Sequence, residues 1–61
     1  MNRVVKILME RDDMTRKEAE SQVKEVQELL EGALSTGNYD EAEDILADEL
    51  GLEMDYIFDL I

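Results

Sequence analysis

The sequence predicts an all-α fold, a compact bundle of three helices plus a short C-terminal helix, and three observations carry that prediction. The 61 residues contain no proline, and the three glycines (Gly32, Gly37, Gly51) all lie in the second half, so little interrupts a helical backbone. Apolar residues recur at steps of three and four, the period of an amphipathic helix. Two short Thr/Asp-x-x-Glu runs stand where helices would begin, matching the capping box in which two side chains satisfy the first free amides.

The first helix is expected over about 2–11. Val4, Val5 and Leu8 fall on one face with Met1 and Ile7 at its margins, and Arg11-Asp12-Asp13 ends it. Thr15-Arg16-Lys17-Glu18 is the first capping box and opens a second helix over about 16–35. There Ala19, Val23, Val26, Leu30 and Ala33 form the inward stripe, widened by Leu29 and Leu34. Ser35-Thr36-Gly37-Asn38 reads as a turn. Asp40-Glu41-Ala42-Glu43 is the second box, with Asp40 as the expected cap of a third helix over about 41–50. That helix points Ala42, Ile45, Leu46 and Leu50 inward and stops at Gly51, which suits the left-handed position, with Leu52 as the apolar contact beyond it. A last short helix over about 54–60 closes a single domain, 1–61.

At 1.5 Å per residue the second helix is about as long as the first and third together, so those two are expected end to end against it. Folding buries apolar surface worth on the order of 90 kcal/mol, and ordering the chain costs about the same. A domain this small, with no cysteine for disulfides, therefore leans on regular packing or on a second copy. The expectation is a homodimer, with Val23, Val26, Leu30 and Leu34 of the second helix as its seam.

Seventeen acidic against six basic side chains give a net charge of −11. The distribution is uneven. All six bases and five acids lie between Arg3 and Lys24, for a net of +1, whereas Glu25 to Ile61 holds twelve acids and no base. In the first half Arg16–Glu20, Glu20–Lys24 and Lys24–Glu28 are opposite charges at i, i+4. In the second, Asp40/Asp44, Asp44/Asp48 and Asp55/Asp59 are like charges at the same spacing, each costing a few tenths of a kcal/mol. Asp48 and Glu49 lie at a helix C-terminus, where the helix dipole disfavours them. Solubility alone accounts for an acidic face, but charges that weaken their own helices point to a cationic partner. Glu41, Asp44, Asp48, Glu49, Asp55 and Asp59 are the candidate partner-binding face. Carboxylates on successive turns lie about 5–6 Å apart, not far from phosphate spacing, so a nucleic-acid mimic is one form this face can take.

Other chemistry lacks its residues. There is no histidine or cysteine, no calcium-type Asp-x-Asp-x-Asp-Gly run and no glycine-rich phosphate loop, so no catalytic, metal or cofactor site is expected. The acidic balance disfavours direct contact with nucleic acid. No apolar run reaches membrane-spanning length, and the opening Met1–Glu10 is too short and too charged for a secretory signal, so a cytoplasmic location is expected. Gly37-Asn38-Tyr39-Asp40-Glu41-Ala42 resembles the turn of a tetratricopeptide repeat, but 61 residues cannot hold the repeats that such an array needs. A helical corner with Tyr39 stapled onto the third helix is the simpler reading. Tyr56-Ile57-Phe58-Asp59-Leu60-Ile61 reads as core or dimer contact, with Tyr56 and Phe58 as apolar anchors if it is presented to a partner.

Met14-Thr15-Arg16-Lys17-Glu18-Ala19-Glu20, Gly37 through Leu46, Leu50-Gly51-Leu52-Glu53 and Asp55 through Leu60 together resemble small acidic orphan proteins encoded by phages and prophages. The resemblance implies context and no activity: an inhibitor or adaptor aimed at host machinery, host defence included, in the cytoplasm of the host cell. The expected function is a non-catalytic accessory that binds a basic host protein. The alternative is a structural or assembly protein whose self-association is the function.

Overall fold

The computed structural model describes residues 2–61, and all of the secondary structure among them is helical. Helix α1 spans Arg3–Arg11, α2 spans Arg16–Ser35 and α3 spans Tyr39–Ile45, running on into a π-helical turn over Leu46–Leu50; a 3₁₀ segment, α4, covers Met54–Asp59. At 1.5 Å per residue α2 is about 30 Å long, so it runs nearly the full 32 Å length of the molecule, whose other dimensions are 17 and 16 Å. α1 and α3 pack on α2.

Local chemistry sets the helix starts. Asn2 caps α1 by accepting from the Val4 amide, and the Thr15/Glu18 box is complete at α2: Thr15 Oγ1 accepts from the Glu18 amide and Glu18 Oε1 from the Thr15 amide. At α3 the cap is Asn38 rather than Asp40. Asn38 Oδ1 accepts from the Glu41 amide at 3.1 Å while its Nδ2 donates to Glu41 Oε2 at 3.0 Å. An Asx cap at 38 satisfies the Glu41 amide two residues before the expected cap, with a side chain to side chain bond in place of the capping box's return bond to the backbone, and Asp40 becomes a first-turn residue. Tyr39 is then the first residue of the helix, 65% exposed, and does not form the expected staple.

The ends are equally specific. Asp13 takes a left-handed φ of 56° after α1, and Gly51 takes φ 64°, ψ 33° after the π turn. At the stop the Gly51 amide donates to both Ala47 O and Leu46 O, and the Leu52 amide reaches back six residues to Leu46 O at 3.2 Å. The π turn has a reason in the sequence. In a continuous α-helix Glu49 would follow Ile45 by four residues and Ala42 by seven, which is the core face. One extra residue in the turn swings Glu49 into solvent while Leu46 and Leu50 remain 0% and 1% exposed.

The core comprises Val4, Val5 and Leu8 of α1, Ala19, Val23, Val26, Leu30 and Ala33 of α2, Ala42, Leu46 and Leu50, with Ile57 and Leu60 from the chain's end. No polar side chain is buried among the described residues. Two arrangements differ from expectation. Val23, Val26 and Leu30 are 5%, 0% and 0% exposed within one chain, so these residues of the expected dimer seam are consumed by the intrachain core; Leu34 alone of that set is half-buried at its edge. And α1 and α3 are not end to end. The Arg11 guanidinium donates to the Leu50 carbonyl at 2.6 Å, which brings together the C-terminal ends of α1 and of the α3 extension. α1 and α3 both pack on α2, and Ala19, Val23, Val26, Leu30 and Ala33 are buried within one chain, while the two residues expected to widen the stripe stay at its margin, Leu29 43% exposed and Leu34 half-buried.

Candidate protein-binding surface

The twelve carboxylates from Glu25 onward are placed by α2, by α3 and its π turn, by Glu53 in the loop before α4, and by α4 itself. Eleven are exposed; the twelfth, Asp59, is half-buried. Of the six candidate face residues, Asp44, Asp48 and Glu49 stand together on α3 and its π turn, without an ion pair among the described residues. Glu41 is exposed but engaged in the Asn38 cap. Asp55 is exposed near the start of α4. Asp59 is turned to internal use: Arg3 Nε and Nη2 both donate to its Oδ2, at 3.0 and 2.5 Å, and Asn2 Nδ2 donates to its carbonyl oxygen. Asp59 therefore leaves the acidic face and fastens the chain's end to the start of α1.

Intramolecular compensation is local and small. Arg11 pairs with Asp12, 2.9 Å from Nε to Oδ1, as well as with the Leu50 carbonyl. The shared hydrogen bonds hold the Asp12 carboxyl below its ordinary pKa and raise that of Arg11. Arg11 is thus the cation at the C-terminal end of α3, where Asp48 and Glu49 oppose the helix dipole. At the end of α2, which has no base in its last turn, the free carbonyls take hydroxyl donors instead: Ser35 Oγ on Gly32 O and Thr36 Oγ1 on Ala33 O, both 2.9 Å. Of the expected i, i+4 ion pairs Arg16–Glu20 is formed, at 3.5 Å, whereas Glu20–Lys24 and Lys24–Glu28 are not. Exposed pairs of this kind contribute little and do not hold long side chains in one place.

An apolar feature lies beside this charge. Leu34 at the end of α2, Tyr39 at the start of α3, and Met54, Asp55, Ile57, Phe58 and Ile61 of the terminal segment line an open groove of about 320 Å³. Phe58 is 84% exposed, Tyr39 65% and Ile61 63%. The 3₁₀ period explains the exposure. Side chains three apart share a face, so Ile57 and Leu60 turn into the core together while Phe58 and Ile61 turn out together. Of the two candidate anchors, only Phe58 is free. Tyr56 is half-buried, with the Arg3 guanidinium 4.5 Å above its ring, a cation–π contact that keeps it against α1. Sequence reading missed Tyr39, Met54 and Ile61 as groove residues. The signal for Ile61 was its three-residue step from Phe58; Tyr39 carried none, because its exposure follows from the cap at Asn38.

No group of three or more carboxylates among the described residues is close enough to hold a metal ion, and no helix is long and apolar enough to cross a membrane. Comparison of this chain with protein-family models, with curated proteins and with solved structures finds no match.

Proposed function

We propose that this chain is a non-catalytic binding protein, an accessory of the phage type that blocks a basic host protein through its acidic side. The observation that carries the reading is the second half of the chain: twelve carboxylates, eleven of them exposed, and no base. Asp44, Asp48 and Glu49 form its centre because they cluster toward a helix C-terminus at some cost to that helix, a cost that an external cation recovers. A host protein with a nucleic-acid groove, such as a defence protein, is the target class that such spacing suits, with the acidic side acting as a nucleic-acid mimic in the host cytoplasm. The test is capture of host proteins on immobilised wild-type chain and on the D44K/D48K/E49K variant. The reading expects a basic partner retained by the first, lost by the second and displaced by duplex DNA. Retention by both refutes the acidic face, and retention against excess DNA refutes the mimicry.

A second reading, self-association, is supported by the exposed Phe58, Tyr39 and Ile61. With Val23, Val26 and Leu30 buried, the apolar surface left for a dimer is the groove together with Leu29, which is 43% exposed. Sedimentation across a concentration series separates the two: a monomer at high micromolar concentration removes the self-association reading.

A further inference from the structure

We propose that the groove between the end of α2, the start of α3 and the terminal segment takes the apolar face of a basic amphipathic helix on the partner protein. This rests on the acidic-face reading and adds the apolar part of the same contact. Six of the seven lining residues are apolar or aromatic, and the seventh is the carboxylate Asp55. An open trough with outward-facing Phe58, Tyr39 and Ile61 on its walls suits a row of side chains at i, i+3, i+4 and i+7. It lacks the convergent polar groups and the enclosure of a small-molecule pocket.

Charge selects the occupant. The charged residues adjoining the lining in sequence are Asp40, Glu53 and Asp59, with Asp55 inside it, and Asp59 is already paired to Arg3. The next acids along α2 and α3 are Glu31 and Glu41, and Arg3, the cation packed on the terminal segment, is engaged by Asp59 and the Tyr56 ring. A helix with an apolar stripe flanked by lysine or arginine would bury its stripe against Phe58 and Ile61 and place its cations over Asp55, Glu53 and Asp40. A second copy meeting this groove with its own brings the same Asp40, Glu53 and Asp55 to the rim. Nucleic acid and an anionic membrane are repelled in the same way.

The probe is a labelled 14-residue peptide of leucine at helical a and d positions with lysine elsewhere, its binding followed by fluorescence anisotropy at 0.15 M salt. Its control carries serine for every leucine at unchanged charge. Wild type should bind the leucine peptide at least tenfold more tightly than the control. F58S and I61S, both at exposed positions, should keep their helical circular dichroism and lose about tenfold in affinity, and D55N should lose less. Equal binding of the two peptides, or unchanged affinity of F58S, overturns the proposal. So does a wild-type dimer that F58S returns to monomer, because the groove then belongs to a second copy. The two readings fail separately: the acidic face fails in host capture when Asp44, Asp48 and Glu49 are reversed, the groove fails on Phe58 and the serine peptide with those acids intact.

Discussion

Leu30→Ala tests the architecture most directly, because Leu30 was expected on a subunit seam and lies in the chain's own core. It is 0% exposed, so the whole transfer cost of the deletion applies: three carbons at about 0.8 kcal/mol each give about 2.4 kcal/mol. α1 and α3 both pack on α2, so the vacated space collapses only in part, and the cavity contributes about another 1 kcal/mol. The expected loss is about 3–4 kcal/mol. A 61-residue chain has roughly 3–9 kcal/mol in all, so the variant should stand near the edge of folding. Urea titration followed by circular dichroism at 222 nm measures this; with a slope near 1 kcal/mol per molar urea, the midpoint should fall by about 3 M. A core residue and a seam residue differ in how the loss depends on protein concentration. For the core the wild-type and variant midpoints are the same at 5 and 200 µM, whereas an obligate dimer is more stable at the higher concentration. A loss below about 1 kcal/mol, or a Leu30→Ala loss that itself changes with protein concentration, would refute the intrachain packing.

Three further outcomes follow from the contacts. Arg11→Met removes the donor to the Leu50 carbonyl and the cation at the end of α3, and should cost about 1–2 kcal/mol in the same titration; Arg11→Lys should recover part of it by keeping the charge. Glu18 has its pKa lowered, chiefly by the hydrogen bond from the Thr15 amide. Its contribution is therefore fully present above the ordinary glutamate pKa and is lost as pH falls through the folded-state value. The stability difference between wild type and Glu18→Gln should be constant above about pH 5 and shrink below about pH 4. Sodium chloride between 0.02 and 0.5 M should raise the melting temperature, because it screens the like charges of the second half; a fall would mean that ion pairs dominate over repulsion.

Most of the helical framework was legible in the residues. α2 begins and ends where the Thr15/Glu18 box and the Ser35-Thr36-Gly37 turn place it, and Gly51 takes its left-handed role, since capping and left-handed stops are settled within four or five residues of chain. Asn38 displaced Asp40 as a cap because both are good cap residues, and the choice depends on where the preceding turn releases the chain. The π turn could have been suspected from Glu49, which a regular helix would have driven into the core. The candidate site was legible as charge and illegible as shape. Twelve acids without a base are visible in any copy of the sequence, but not that Asp59 and Tyr56 are spent on Arg3, or that Phe58 faces outward.

The sequence by itself thus determined the helices, the capping box of α2, the left-handed stop at Gly51 and the segregation of charge. The tertiary structure alone decided that Val23, Val26 and Leu30 of α2 are buried within the same chain, that Arg11 serves the end of α3 as well as Asp12 beside it, and that a groove opens beside the acidic side. The Arg11–Leu50 contact alone spans 39 residues of chain, and no local period or cap encodes any of the three. They are set by how three helices fill one small volume without burying a charge.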